Sequence, residues 1–479
     1  EPLAKTPALN TDAFTQDAYI RTADCYFMQK NFSKAKSMYD NVIKLSWPAE
    51  DYATFQNAML AGVRSSSEKI SLMNTMIRKF PTSSLVTDAN MEIANAYMSD
   101  EKFREAIPFL ANIVKGSGNS SLKPQALYNL GVAYYNLNNN TDALKQYQTL
   151  IDQYPNSPEA DDAIDNVRLI YVGDGKPDEY ADFMRKAGKP LSVSSEDSLT
   201  YAAAQAQLEN DNTTGALNGY NSYLQKFPNG TYALDAQFNR AEIYNAKKDW
   251  AHALEAYGPV GDAAPNKYAE RAILTAARIN FFELKDYAKA EVFFAQLKQL
   301  SSGQENKLEA MRGLLRCQYQ LQQWSTALDN AKELANAKGS STEDKTLANM
   351  TIAKSYEVNG QYDLALTNFK SVIALNKAAL AAEARYEIAN CWFQLGKLSD
   401  AEKAAFETIN KSGSYDFWVG KSYILLGDIY FKEKDYFNAK ATFQSIVENT
   451  VNPELKSEAQ TKLNLVIDEE GKSSKVNNN

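Results

Sequence analysis

The stretch PQALYNLGVAYYNLNNNTDALKQYQTLIDQYP, from Pro124 to Pro155, contains two amphipathic helical patterns joined by an Asn-rich turn. In each half the apolar residues recur every three or four positions, which is the spacing of one helix face. Gly131 and Ala143 are small, so the two helix backbones can approach closely where they cross. Pro155 ends the second helix because proline has no amide hydrogen to donate. The stretch predicts a helix hairpin that needs neighbours to cover its apolar face.

This hairpin recurs along the chain with a period near 37 residues. Ala143 has an equivalent in every repeat, and ten of these twelve markers are alanine. A ring usually lies three residues before the marker and another lies four residues after it. Such regularity predicts units that stack on one another. The markers are Ala35, Lys69, Ala106, Ala143, Tyr180, Ala216, Ala253, Ala290, Ala327, Ala365, Ala401 and Ala439.

At these positions the sequence resembles the tetratricopeptide repeat family, whose small, aromatic and proline positions extend over two antiparallel helices. The resemblance covers nearly the whole chain. It implies an all-α fold, a helix-hairpin solenoid or superhelix of about 12 repeats with a C-terminal capping helix. The stretches FWVGKSYILLGDIYFKEKDYFNAKATFQSIVEN and SLTYAAAQAQLENDNTTGALNGYNSYLQKFPNG are similar to long exported repeat proteins of the Bacteroidetes. That similarity implies an envelope-associated protein.

Interruptions of the pattern predict the domain organisation. An N-terminal block of about five repeats, the last one degenerate, is expected over residues 1–187, followed by an irregular joint rich in Gly, Pro and Ser at 188–198. A C-terminal block of about seven repeats and the capping helix is expected over 199–468, and a solvated, disordered tail over 469–479. The eighth and ninth repeats, TAARINFFELKDYAKA and GLLRCQYQLQQWSTAL, are expected to have one or two more residues between the helix crossings.

Charge and composition exclude several classes of partner. The chain has 51 Lys and Arg against 59 Asp and Glu, a net charge of −8, which disfavours a nucleic-acid partner. It has no run of 18 apolar residues, so we predict that it is not transmembrane. Cys25, Cys317 and Cys391 are spread over distant repeats and are expected to be buried single thiols.

The sequence predicts no enzyme, no cofactor and no metal site. Its single histidine, His252, precedes a marker alanine, where a surface position is expected rather than a role as general base. Gly173–Lys176 (GDGK) lacks the GxxxxGK[ST] pattern of a phosphate loop and is interpreted as a turn. Adjacent acidic residues such as Asp161 and Asp162 lack the alternation of a calcium loop.

If the repeats stack as the resemblance implies, the first helices line a concave groove. Side chains one turn away from the packing stripe should face that groove, and rings and methionines are favoured at protein interfaces. The alternative is that a 37-residue repeat curls tightly, so that these side chains contact neighbouring first helices. The predicted partner-binding residues are Phe27, Met91, Met98, Tyr128, Tyr135, Phe238, Met350, Tyr386, Asn390, Phe393 and Phe431.

The leading hypothesis is a non-enzymatic scaffold that holds a partner protein or an extended peptide on the concave face. We expect it in the periplasm or peripheral to the outer membrane. The alternatives are a cytoplasmic regulatory scaffold of the same architecture and a glycan-binding helical-repeat protein whose rings stack on sugars. Lys354 and Asn390 match two positions of the Lys/Asn/Arg clamp with which some tetratricopeptide proteins bind a C-terminal carboxylate, but the remaining positions do not match. Such a clamp is not expected.

Overall fold

The structure is a computed structural model that describes residues 12–117, 120–376 and 378–476. All regular secondary structure in these ranges is helical. The helices alternate as the first and second helices of successive hairpins, which confirms the predicted all-α helix-hairpin solenoid. The chain divides into two compact units, an N-terminal unit of residues 1–233 and a C-terminal unit of residues 234–479.

The described residues of the N-terminal unit form six hairpins and a 3₁₀ turn, Ser120–Leu122, that leads into α7. Its helices are α1 Ala13–Met28, α2 Phe32–Lys44, α3 Glu50–Gly62, α4 Ser66–Lys79, α5 Val86–Ser99, α6 Phe103–Lys115, α7 Lys123–Asn136, α8 Asn140–Gln153, α9 Pro158–Gly173, α10 Pro177–Lys186, α11 Val193–Glu209 and α12 Thr213–Lys226.

The C-terminal unit continues with further hairpins, a π-helical turn after α15 (Ile279–Glu283) and a closing helix. Its helices are α13 Ala233–Ala246, α14 Trp250–Asp262, α15 Ala269–Arg278, α16 Tyr287–Leu300, α17 Gln304–Gln320, α18 Trp324–Asn336, α19 Thr342–Val358, α20 Tyr362–Leu375, α21 Ala379–Gln394, α22 Leu398–Lys411, α23 Asp416–Lys432, α24 Tyr436–Asn449 and α25 Pro453–Val476.

The marker residues lie where the helices of each hairpin are packed most tightly. All ten marker alanines are on second helices, and each has 0% of its surface exposed. The rings four residues further on, such as Tyr147 and Phe443, are at most 2% exposed. A Cβ at Gly131 would lie 2.3 Å from Cε1 of Tyr147, so this glycine makes room for a ring. The small residues therefore let large rings into the hairpin core, where apolar burial stabilises the fold.

Several turns between paired helices share one backbone conformation. A residue in the left-handed region, such as Lys248 (φ 58°), precedes an Asn or Asp that caps the second helix. The Asp249 side chain, for example, accepts a hydrogen bond from the backbone N–H of His252 at 3.4 Å. His252 lies exposed at the start of α14, as the sequence predicted, and its Nδ1 is 2.8 Å from Asp249 Oδ2. These polar residues serve turn geometry and capping.

Three predicted boundaries differ from the structure. Ser192 caps α11 by accepting from the backbone N–H of Ser195 at 3.1 Å, so residues 193–198 are helical and the predicted joint is shorter. The two compact units meet after Ala233 instead of at that joint. The closing helix continues to Val476 because Glu470 pairs with Lys440 of α24 at 2.6 Å. The predicted tail is thus helical over 469–476, and 477–479 lie outside the described residues.

Two further expectations concern single residues. Cys317 and Cys391 are buried as predicted, but Cys25 is exposed. Cys25 is two positions from the buried Ala23, which on an α-helix places it on the opposite side from the core. Lys69 replaces the marker alanine of the second repeat, and its stem passes over Gly62 to an ion pair with Glu92 of α5. Across the described residues, no helix combines the length and the apolar character needed to cross a membrane.

Candidate functional site

In the C-terminal unit, each first helix from α15 onward packs against the first helix of the next hairpin, and α23 packs against α25. We call the surface formed by α15, α17, α19, α21 and α23 the first-helix face. Ion pairs connect α15 to α17, α17 to α19 and α19 to α21, and two more connect α23 to α25. They are Arg278–Glu309 (2.8 Å), Arg312–Asp344 (2.5 Å), Lys354–Glu387, Lys421–Glu458 (2.8 Å) and Asp428–Lys462 (2.5 Å).

One lysine and three carboxylates form the densest polar cluster of this face. Lys354 of α19 pairs with Glu387 of α21, and its Nζ lies 3.5 Å from Glu357 and 3.9 Å from Glu383. Asn390 donates to Glu357 at 2.9 Å. Within the described residues, Lys354 is the cation that forms ion pairs with these three carboxylates. With all groups ionised, three negative charges face one positive charge, and the cluster has two negative charges in excess.

Burial and the neighbouring charges change the pKa values of these groups. Burial, followed by the neighbouring Glu387, raises the pKa of Glu357 from 4.5 to about 7. Burial also raises the pKa of Glu383. Burial alone would lower the pKa of Lys354, but the carboxylates of Glu387 and Glu357 outweigh it, so that this pKa is raised. Lys354 therefore stays charged at neutral pH, whereas Glu357 holds its proton part of the time.

A second cluster on α23 and α25 is balanced. Lys462 pairs with Asp428 at 2.5 Å and Lys421 pairs with Glu458 at 2.8 Å, which gives two positive and two negative charges. Tyr386 of α21 packs against Trp418, with ring centroids 5.5 Å apart. Burial raises the pKa of the Tyr386 hydroxyl, so the side chain is neutral at physiological pH. The excess charge of the face is thus concentrated around α19 and α21.

An apolar slot of 330 Å³ lies beside the lysine cluster. Its walls come from the π turn after α15 and from three further first helices. The slot is lined by Phe281, Phe282, Tyr319, Leu347 and Leu380, with Arg316 and Gln320 also bordering it. Phe282 is 56% exposed and forms part of the opening of the slot. Tyr319 joins the slot to the cluster because its hydroxyl donates to Glu383 at 2.9 Å.

Family models described as Tetratricopeptide repeat match residues 17–46, 125–157, 350–416 and 420–449, about a third of the chain. The chain contains tetratricopeptide repeats. The matches fall in both compact units and include α19–α24, which carry most of the first-helix face. Repeats of this kind use their stacked surfaces for binding. The matched families therefore support an interaction scaffold, and none of them is an enzyme family.

Solved structures with a similar fold are only distantly related. The crystal structure of yeast Tom70 has 14% identity, covers 95% of this chain and 96% of its own, and has a TM-score of 0.32. A tetratricopeptide repeat protein from Parabacteroides merdae ATCC 43184 has 17% identity, covers 58% of this chain and 100% of its own, and has a TM-score of 0.30. At TM-scores below 0.5, these proteins say nothing about what this chain binds. Among curated proteins, none matches the sequence significantly.

Three of the predicted partner-binding residues lie inside the tetratricopeptide core. Met91 is 4% exposed, Phe238 is 5% exposed and Met350 is 0% exposed. Phe238 stacks on Tyr268, with ring centroids 4.1 Å apart, because α13 and the start of α15 come together there. The prediction that these three side chains face a groove is wrong. Each belongs to a core that includes its own second helix and the next hairpin, so it lies on the packing side of its first helix.

The remaining N-terminal candidates are only partly available. Phe27 and Met98 are half-buried against their own repeat cores. Tyr128 is half-buried, and its hydroxyl accepts from Asn166 at 3.3 Å. Tyr135 is 45% exposed and is the most accessible of the four. The structure does not gather them into one cluster.

The C-terminal candidates Tyr386, Asn390 and Phe393 all belong to α21, within the first-helix face. Asn390 is committed to the lysine cluster through its bond to Glu357. Phe393 lies under the ammonium of Lys432, 4.7 Å from its ring centroid, and Phe431 packs with the core beside α25. These residues border the cluster and expose little apolar surface, so their binding role remains a prediction.

The sequence analysis missed the residues that form the slot and the three carboxylates that surround Lys354. Phe281 and Phe282 belong to INFFE, the π turn that accommodates the extra residue expected in the eighth repeat. That insertion was a usable signal, because π turns are frequent at functional sites. Tyr319, Glu383 and Glu387 had no comparable signal. Tyr319 of α17 and Glu383 of α21 are 64 residues apart in the sequence. The helix α19 lies between these two helices in the order of first helices, so spacing gives no sign of their contact.

Proposed function

We propose that the chain is a non-enzymatic scaffold that holds another protein, or an extended segment of one, on the first-helix face of its C-terminal unit. Phe282 is the observation that carries this proposal. It exposes 56% of its surface beside an open apolar slot, while the other rings of the slot and its surroundings are half-buried. An exposed ring at a concave apolar slot offers a place for an apolar side chain of a partner, and aromatic residues are enriched at protein interfaces.

The Lys354 cluster argues against one specific kind of partner. A carboxylate clamp needs a lysine that can receive the C-terminal carboxylate of the partner. Here the ammonium of Lys354 already faces Glu357, Glu383 and Glu387. A further carboxylate would meet a cluster in which carboxylates outnumber the single cation, and like charges repel strongly at a site with little solvent. The partner is therefore recognised by other chemistry.

Position-specific cross-linking tests the binding face. The photoreactive amino acid p-benzoylphenylalanine is placed at position 282 or, as a matched control, at position 437. Phe437 is 77% exposed on α24, a second helix, so it controls for ring exposure. We expect a discrete cross-linked partner from position 282 and none from position 437 in extracts of the source cells. Equal yields, or a partner from position 437 alone, would contradict the proposed face.

We further propose that the scaffold works in the bacterial envelope, in the periplasm or peripheral to the outer membrane. The support is the sequence resemblance to exported repeat proteins of the Bacteroidetes. The test is cell fractionation of the natural gene product, detected by antibody, next to a known cytoplasmic enzyme as a marker. Co-fractionation with the periplasm or the outer membrane is expected. Recovery with the cytoplasmic marker would support the cytoplasmic scaffold instead.

A further inference from the structure

We infer that the segment bound by the first-helix face carries a large apolar residue next to a lysine or arginine. This inference rests on the proposed function and specifies the chemistry of the partner. Two adjoining features carry it: the apolar slot beside Phe282 and the uncompensated carboxylates around Lys354. Each feature recognises a different part of the occupant, and Tyr319 belongs to both.

The slot accounts for the apolar residue. Its five apolar lining residues belong to the π turn after α15 and to α17, α19 and α21. A side chain inserted there would therefore contact several repeats at once. Its volume of 330 Å³ is at the lower end for a binding pocket and suits one or two side chains of a peptide. An apolar side chain in it would remove Phe282 from water, and the apolar surface buried in this way favours binding.

The carboxylates account for the basic residue. Glu383 accepts a hydrogen bond from the Tyr319 hydroxyl at 2.9 Å. Because the ring of Tyr319 lines the slot, Glu383 is the carboxylate of the cluster that adjoins it. The side chains of Glu357 and Glu383 keep 13% and 15% of their surface exposed, so a cation can reach them. A lysine or arginine beside the inserted residue would supply positive charge that the free protein lacks. Attraction between charges is strong at such a poorly solvated site.

One basic side chain of the protein also borders the slot. Arg316 is exposed at the border of the slot. A basic residue is favoured beside Glu383 and disfavoured beside Arg316, because like charges repel. A basic residue of the partner is therefore expected to bind at Glu383 and not at Arg316.

Designed peptides test this chemistry without knowledge of the natural partner. The probe is a fluorescein-labelled, amidated peptide with the core Leu-Lys-Lys-Leu in a Gly-Ser background. One comparison peptide has both lysines replaced by glutamate, and another has both leucines replaced by serine. Fluorescence anisotropy with the intact chain should give saturable binding of the probe and at least roughly tenfold weaker binding of both comparison peptides, a difference of about 1.4 kcal/mol.

Variants of the protein locate the site. Phe282→Ser and Glu383→Gln should each weaken probe binding about fivefold to tenfold. The matched controls are Phe437→Ser, an exposed ring on a second helix, and Glu407→Gln, an exposed acid on α22. Circular dichroism melting verifies that each variant is folded. Equal binding of the serine peptide, or unchanged binding by folded Phe282→Ser, would overturn the inference and indicate mere attraction to an acidic chain.

The two experiments can fail independently. If position 282 cross-links a partner but the Leu-Lys peptide does not bind, the binding face is correct and the inferred chemistry is wrong. If the peptide binds and loses affinity in Phe282→Ser, but no partner is cross-linked from position 282, the chemistry of the slot holds and the proposed scaffold role in those cells does not. If neither binding nor cross-linking occurs, both are wrong.

Discussion

The two compact units use different chemistry at the same repeat position. In the N-terminal unit, Asn129 of α7 donates to Asn95 of α5 at 3.4 Å. In the C-terminal unit, Lys354 of α19 pairs with Glu387 of α21. Asn95 and Lys354 each precede their marker alanine by 11 residues, and Asn129 and Glu387 each precede theirs by 14. One geometry between first helices therefore accepts either a neutral amide pair or an ion pair.

The difference extends beyond this one position. In the N-terminal unit, Asn166 donates to the Tyr128 hydroxyl, and Gln207 donates to the Gly173 carbonyl at 2.7 Å, so these first helices are joined by neutral groups. The first helices of the C-terminal unit are joined by a series of ion pairs. Neutral hydrogen bonds respond little to pH and salt, whereas buried charges respond to both. The stability of the C-terminal unit should therefore depend more strongly on pH and salt than that of the N-terminal unit.

The largest expected effect is the loss of a buried ion pair. Arg312 contacts both carboxylate oxygens of Asp344, at 2.5 Å and 2.8 Å, and Asp344 is 2% exposed. Arg312→Met leaves that carboxylate buried without its cation, which should lower the local free energy of opening by about 3 kcal/mol. Asn129→Leu in the N-terminal unit should cost less than about 1 kcal/mol. Hydrogen exchange of the α19 and α7 amides measures both. Equal losses at the two sites would break the comparison.

The next effect is a pH dependence confined to the C-terminal unit. The pKa of Glu357 is raised from 4.5 to about 7 in the folded protein, so between these values the folded state binds more protons than the unfolded state. Stability then falls as pH rises through this window. From about pH 5 to about pH 8, the opening free energy of α19 and α21 should decrease by on the order of 2 kcal/mol.

Hydrogen exchange at both pH values, corrected for intrinsic exchange rates, measures this change. Glu357→Gln should remove most of it and make α19 more protected at the higher pH. Glu407→Gln, an exposed acid on α22, should leave it unchanged. Amides of α5 and α7 provide the internal comparison, since neutral groups join these helices. Protection of α19 that is constant or rises with pH would rule out the raised pKa as the cause.

The sequence allowed the fold to be predicted because the deciding residues repeat locally. Ala143 and Tyr147 are buried for the same reason in almost every repeat, so spacing alone identifies the hairpin. The site could not be predicted in this way, because it depends on how closely successive first helices approach. Spacing does not show that Tyr319 reaches Glu383 across α19, or that Met350 is fully covered. A repeat pattern indicates which face is inward and leaves open which side chains fill it.

A smaller effect should follow from salt. The ion pairs between first helices include partly exposed groups such as Arg278, whose side chain is 52% exposed, and exposed pairs contribute less than about 1 kcal/mol each. Raising NaCl from about 0.05 M to about 1 M screens them. The opening free energy of α15–α19 should fall by about 1 kcal/mol relative to that of α5–α9. The ratio of hydrogen exchange rates in the two units, measured at both salt concentrations, tests this. A ratio that does not change would show that the pairs contribute nothing net.

The smallest effect concerns the turns between paired helices, where different residues adopt the left-handed conformation. Lys434 (φ 66°) and Asn138 (φ 57°) both adopt the left-handed conformation just before a helix cap. Lysine is strained there by roughly 1 kcal/mol, whereas the short amide of asparagine tolerates this region better. Glycine relieves the strain but also loses more entropy on folding, so the net gain is smaller than the strain.

Lys434→Gly should therefore raise the free energy of local opening of α24 by about 0.5 kcal/mol, and Asn138→Gly should change that of α8 by close to zero. Hydrogen exchange of the two variants measures the difference. Equal gains would mean that the backbone, and not the choice of lysine or asparagine, sets the stability of these turns.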